Sequence, residues 1–328
     1  MKTLLSLFLL GLLSLCPMSA AAQQPGVSEN YPTRSVRVIV PRPPGNANDL
    51  IARILVQKLS EEMGGQFYVE NIPAGGGIVG MGTAASAAAD GYTLLAANQD
   101  LIVHPVVKAK VPYDPLTSFA PISLLASAPE VIVVHPSVPA KDMKELVTLL
   151  KANPGKYSYA SPGHGTSPHV ACERLFKVTH GLDVVHVPFP GGGQAVQSTI
   201  AGHTAILHIT LPLVAQHIKD GTLRALAIAS SKRSPLFPDV PTLAEAGMPN
   251  HDVAFWVGML VPAETSKQRI DALHQQITRI QSLGDVKERY ASLGFEPIGS
   301  TPDKFAAYLK AEFAEWGRVV RDAKIKIE

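Results

Sequence analysis

Cysteine is almost missing from this chain. Its 328 residues hold two, Cys16 and Cys172, and Cys16 falls in an apolar N-terminal stretch outside the expected fold. A single remaining thiol cannot close an internal disulfide, so stability has to come from a packed core. Aromatic residues are also scarce, at 6%. With no basic run to accompany them, a base-stacking nucleic-acid surface is excluded. Neither sign of charge dominates, with 29 Lys and Arg against 27 Asp and Glu. Nothing after residue 22 is long and apolar enough to read as a membrane span. His164, His169, His203, His208 and His217 invite a metal reading, but no H-E-x-x-H spacing or Cys pair supports it, so neither a metal nor a cofactor is expected. Ser161 to Ser167 lacks the G-x-S-x-G nucleophile elbow of an α/β hydrolase, although Ser167 stands two residues from His169.

What is present begins with an export signal. Lys2 supplies a positive n-region, residues 4–16 an apolar h-region, and Ala20-Ala21-Ala22 a cleavage site before Gln23. Residues 1–22 are therefore read as a signal peptide. A lipoprotein reading of Leu13-Ser14-Leu15-Cys16 puts a large Leu15 where a small residue is expected. Cleavage removes Lys2 and no acid, lowering the formal net charge from +2 to +1. Cys172, in the apolar-patterned stretch HVACERLF, is expected to be a buried structural thiol.

The mature chain repeats one unit four times: a strand, a Gly/Pro loop, and a helix start. The first reads VRVIV, PRPPGNAND, LIARILVQKL. Val36, Val38 and Val40 alternate as in a strand. Asn46 or Asn48 can N-cap a helix that buries Leu50, Ile51, Ile54, Leu55 and Leu59. The others are FYVEN–IPAGGG–IVGMG, YSYAS–PGHGTS–PHVACERLF and DVVHVPF–PGGG–QAVQ. Each unit puts loop N–H groups and the positive end of a helix dipole at one spot, which suits an anion. ISLLA and VIVVHP read as two further strands, and Met143 to Ala152 as an amphipathic helix. Ile270, Leu273, Ile277 and Ile280 share one helix face, and Phe305, Leu309, Phe313 and Trp316 another.

This alternation predicts α/β domains with largely parallel sheets, whose ligands sit at the carboxyl ends of strands. Two units early and two in the middle imply two lobes sharing a cleft: residues 30–124 with 254–328, and residues 125–253. Gly75-x-Gly77-x-x-Gly80, with Asp100 about twenty residues on, matches the dinucleotide fingerprint. However, Ile72-Pro73-Ala74 separates the strand from the first glycine, so a small-anion loop or a tight turn explains the glycines better. Arg42, among the prolines of the first loop, is either a bidentate carboxylate partner or a solvated surface residue.

The four loops resemble the Bug proteins, periplasmic substrate-binding receptors of tripartite tricarboxylate transporters. The resemblance runs from about Tyr31 to the C-terminus. Its carriers are VPRPPGNANDLIAR, VENIPAGGGIVG with DGYTLL, YASPGHGTSPHVACERLF and HVPFPGGGQA. It continues through DGTLRALAIAS, DVPTLAEAGMP, FWVGMLVPAET and LGFEPIGSTPDKF. It implies an α/β fold of two lobes in a type II periplasmic-binding-protein architecture, a non-enzymatic monomer that closes on a small carboxylate in the cleft. Its partners would be inner-membrane transporter subunits or, alternatively, a sensor kinase. Carried onto this chain, the ligand-binding residues are Arg42, Pro44, Asn46, Asn48, Gly76, Gly77, Ile78 and Asn98 from lobe one. Lobe two adds Ser161, Gly163, Thr166, Ser167, His169, Phe189 and Gly191. Four departures stand out: Arg42 where the family usually has Phe, Asn46-Ala47-Asn48 for a Gly-Gly-Thr/Ser-like run, Phe189-Pro190-Gly191 for Tyr-Lys-Gly, and Ala205 where a G-x-V-D motif carries Asp. An added cation and a lost anion favour a di- or aromatic carboxylate over an amino acid. The rival reading is an exported hydrolase using the same cleft.

Overall fold

The computed structural model describes residues 31–108, 110–322 and 324–325; the expected signal peptide lies outside them. Ten strands form one continuous sheet that changes partners along its longest strand. On one side lie β2 (Phe67–Asn71), β1 (Val36–Val40), β3 (Thr93–Asn98) and β9 (Ala254–Pro262). They join β4 (Phe119–Val134), whose other edge takes the short β10 (Glu296–Pro297). On the other side, the far end of β4 pairs with β8 (Arg224–Ala229) and β7 (Ile206–Thr210), followed by β5 (Ser158–Ser161) and β6 (Val185–Pro188).

The sequence suggested two strands where β4 is one of 16 residues. Phe119 to Pro129 pair with β9, and Glu130 to Val134 with β7 and β8. Pro129, which has no N–H to give a ladder, sits where the partner changes, so the strand loses little there. Parallel pairing holds in the outer pairs β1/β2, β1/β3, β5/β6 and β5/β7. The pairs made by β4 and β9 are antiparallel, so the sheet is mixed rather than largely parallel.

Helices cover both faces. Val36, Val38 and Val40 of β1 point to a core with α1 (Ala47–Met63), α8 (Lys267–Ser282) and α9 (Gly284–Ser292). Ile39 points the other way, to α2 (Ile78–Ala85), α3 (Asp100–Val107) and α10 (Pro302–Asp322). The period-2 alternation of a strand buried on both faces accounts for this split. On the other sheet segment, α4 (Met143–Ala152) packs with Leu175 and Phe176 of a helix that begins as α5 (Ser167–Cys172) and continues as a π-turn over Glu173–Thr179. The opposite face takes α6 (Gly192–Ile200), and α7 (Ala215–Lys219) follows β7. Cys172 is a free, fully buried thiol, as expected.

Candidate functional site

The four Gly/Pro loops meet in pairs where β4 changes partners. The first loop touches the fourth: a Cβ on Gly191 would stand 2.7 Å from Cγ of Pro43. The second touches the third: a Cβ on Gly163 would stand 3.9 Å from the Gly76 Cα. The second loop is a tight turn in which Gly75, Gly76 and Gly77 all take positive φ. Gly77, at φ +98°, also leaves no room for a side chain, since a Cβ would lie 2.6 Å from the Pro41 carbonyl. This packing, and not a nucleotide fingerprint, explains those glycines.

Two spaces open along this seam. A groove of about 630 Å³ is walled by Pro43, Pro44, Gly45, Asn46 and Phe189 with the start of α6. Deeper in lies a cavity of about 20 Å³, enclosed by Arg42, Asn46, Asn98, Gln99, Asp100, Glu130, Ser167 and apolar neighbours. That is room for one water, against the hundreds of Å³ typical of ligand pockets.

Arg42 is 2% exposed, not a solvated surface residue. Its guanidinium forms an ion pair with Asp100, at the start of α3. Burial pulls the guanidinium pKa down to about 10, which leaves it cationic at neutral pH. The Asp100 carboxylate has two further partners: the Ser167 main-chain N–H donates to Oδ1 at 2.7 Å, and the Asn98 amide to Oδ2 at 3.0 Å. One side chain thus links the first loop, the third strand and the start of α5. Beside it, the Gln99 amide donates to Glu130 Oε1 at 3.1 Å and to Ser167 Oγ at 2.9 Å. His208 Nε2 stands 3.1 Å from Glu130 Oε2. His104 is fully buried; burial, then Arg42 and Lys108, hold its pKa well below the usual value, so it is neutral. Asp100, Gln99 and Glu130 were not singled out as site residues by sequence, and His208 entered only among the histidines weighed for a metal. Asp100 entered only through its spacing from the glycines.

The anticipated residues divide into three groups. Arg42, Asn46, Asn98 and Ser167 line the small cavity, and Pro44, Asn46 and Phe189 the groove. Gly76, Gly77, Gly163 and Gly191 set the close approach of the loops, with Ile78 opening α2. The rest are turned to structural duties. The Asn48 amide donates to the Ala96 carbonyl, while the cavity-lining Asn46 also occupies the α1 N-cap position, without a side-chain cap. Asp49 instead takes the Gly45 N–H at 2.8 Å, because its carboxylate reaches back one turn and also binds Arg53 and Asn71. Burial alone would raise the Asp49 pKa; these bonds outweigh it and lower it. The Thr166 hydroxyl donates to the Gly163 carbonyl at 2.8 Å, and His169 Nδ1 accepts the Gly165 N–H at 3.0 Å.

The Ser161 hydroxyl lies 2.7 Å from His186 Nε2, a Ser–His contact at the seam that a hydrolase could use. Ser161 is fully buried, and His186 is stacked 3.7 Å from the His169 ring. Burial, then His164 and Lys177, push the His186 pKa down to about 4, which makes it a feeble base. Among the described residues, no group of three or more His, Cys, Asp or Glu is arranged to hold a metal ion, and no helix is long and apolar enough to cross a membrane.

Residues 51–325 match the family model described as the tripartite tricarboxylate transporter family receptor. The chain belongs to this family. Protein BugT of Bordetella pertussis is 33% identical over 322 residues, 98% of each chain. A structure described as a periplasmic transporter superposes with a TM-score of 0.86 at 37% identity, covering 91% of this chain and all of that one. A Rhodopseudomonas palustris protein solved with adipate gives 0.85 at 28% identity, covering 90% and 99%. The MatC protein of Rhodopseudomonas palustris with bound malate gives 0.83 at 28%, covering 88% and 100%. The receptor fold of the family is therefore shared by this chain. Within it, the Arg42–Asp100 pair changes the meaning of the extra cation: Arg42 brings no unbalanced charge to the seam.

Proposed function

We propose that this protein is an exported, periplasmic solute-binding receptor that captures a small carboxylate between two lobes, closes on it and presents it to a membrane transporter. We take the lobes as residues 30–124 with 254–328 and residues 125–253, joined through β4. The convergence of the four Gly/Pro loops on one polar seam carries the reading. Adipate and malate in the two related structures support a dicarboxylate, and the loss of an acid at Ala205 supports a di- or aromatic acid over an amino acid. The ligand would enter through the groove beside Asn46 and Phe189, with Asn46, Asn98, Ser167 and the Gly76–Gly77 backbone among its polar contacts. The buried Ser161 and the weak base His186 give the hydrolase reading little support.

Native mass spectrometry of the freshly purified protein, followed by calorimetric titration with mono-, di- and tricarboxylates, tests this. A co-purified or titrated acid with micromolar affinity, about 8 kcal/mol of binding, is the expected result. Absence of binding by the whole panel, or tighter binding of glutamate or aspartate than of any dicarboxylate, would overturn the assignment. Trp256, buried on β9 with its main-chain N–H 3.4 Å from Gln99 Oε1, offers an intrinsic fluorescence signal for closure.

A further inference from the structure

Two donors from opposite sides of the seam, the Arg42 guanidinium and the Ser167 main-chain N–H, converge on a single carboxylate. A guanidinium and a main-chain N–H together are donors that suit the acid group of a ligand equally well. Here the carboxylate belongs to the protein. We propose that Asp100 is a specificity-determining residue of the cleft, an internal carboxylate that competes with the ligand's own for Arg42 and the Ser167 N–H. The inference rests on the carboxylate-receptor reading and adds the residue that tunes it.

Three observations carry it. First, Asp100 is 1% exposed and reaches these partners from the first residue of α3, directly against the cavity. Second, the same wall has two buried polar atoms without hydrogen-bond partners among the described residues: Arg42 Nη1 and Asn98 Oδ1. A free donor on the arginine beside a carboxylate that already holds its other nitrogen is a place for a further acceptor, and buried polar atoms rarely go unmet. Third, the cavity is lined by Asp100 and Glu130 against Arg42, with His208 facing Glu130 from β7. Each negative end of an arriving ligand meets these acids, so removing the Asp100 charge matters more to a dianion than to a monoanion.

A ligand that needs a receptor occupied most of the time binds with an apparent affinity reduced by the free fraction. If Asp100 holds the Arg42–Ser167 receptor in about nine molecules of ten, affinity falls about 10-fold. Removing the competitor should restore it. The test is Asp100→Asn in the mature chain, titrated calorimetrically with adipate, malate and benzoate. Binding of the two diacids should tighten about 10-fold, with a smaller gain for benzoate. A folded Asp100→Asn protein that binds both diacids no better than the parent overturns the proposal, since a merely structural Asp100 would leave affinity unchanged or weaken it. Should that variant not fold, Arg42→Gln and Arg42→Gln/Asp100→Asn are compared. The double variant must bind the diacids more tightly, and equal affinity overturns the proposal. If neither the parent nor any variant binds an acid, the receptor reading falls first, and this inference falls with it.

Discussion

Replacing Arg42 by Met removes the cation from a fully enclosed ion pair and leaves its volume roughly filled. The pair is 3% and 2% exposed at its two side chains, so neither partner can turn to water. Removing one member of such a pair costs about 3–5 kcal/mol, because the other charge stays buried and uncompensated. Asp100 would keep its bonds from the Ser167 N–H and the Asn98 amide, so the low end, about 3 kcal/mol, is the expected loss. For a chain of this size that is a fall in Tm of roughly 5 °C. Arg42→Met/Asp100→Asn neutralises both partners and should recover most of the loss, giving a coupling energy of about 2–3 kcal/mol in the double-mutant cycle. Urea unfolding followed by circular dichroism measures it, provided the m-value stays constant across the four proteins. Strictly additive losses would show that Arg42 and Asp100 do not depend on each other, and the charge argument for the seam would fail.

Two other outcomes follow from the geometry. Gly77→Ala forces a Cβ into a position at φ +98° that lies 2.6 Å from the Pro41 carbonyl; it should cost about 2 kcal/mol or more and weaken ligand binding through the second loop, read by melting and titration. Stability should also fall with acidification from pH 6.5 towards pH 4. Burial, then His186 and His164, push the His169 pKa down to about 2, and burial first of all pushes His186 and His251 to about 4. Below about pH 6.5 the unfolded histidines bind protons that the folded ones refuse, so protons favour unfolding. The urea midpoint should drop steadily between pH 7 and 5, and His169→Gln should flatten the slope. A flat profile in the parent protein would refute it.

The scaffold could be read from the chain because its signals are local and periodic. Val36, Val38 and Val40 against Ile39, or Ile270, Leu273, Ile277 and Ile280, report a face directly, and those faces are the ones buried. The loops were equally legible, since three consecutive glycines or a run of prolines permit few backbones. The continuity of β4 was not, because Pro129 is a break signal in a sequence and becomes harmless only at a partner change. The polar lining was the hardest part. Arg42 in isolation looks like a spare cation, and only the fold brings Asp100, 58 positions later, against it. Glu130 and His208 lie on β4 and β7, within runs of apolar residues whose spacing says core. A charged residue in such a run is the one signal that could have found them, since Glu is almost never fully buried without a partner.

The cross-seam bonds of this pocket are concentrated in two adjacent residues. Gln99 reaches Glu130 and Ser167 Oγ, and Asp100 reaches the Ser167 N–H. Each bond can be exchanged for one to water on opening, at a net loss of about 0.5–1.5 kcal/mol for a neutral pair and more for the charged one. Three such bonds sum to a few kcal/mol, the scale on which two conformations of one protein remain in exchange. An apolar plug of the same extent would resist opening far more, because water offers it no substitute partners. On the proposed two-lobe reading, the seam is held firmly enough to have one arrangement and weakly enough for a binding free energy of ordinary size to redirect it. On that reading, the residues that set the balance are the same ones whose charges an arriving acid would face.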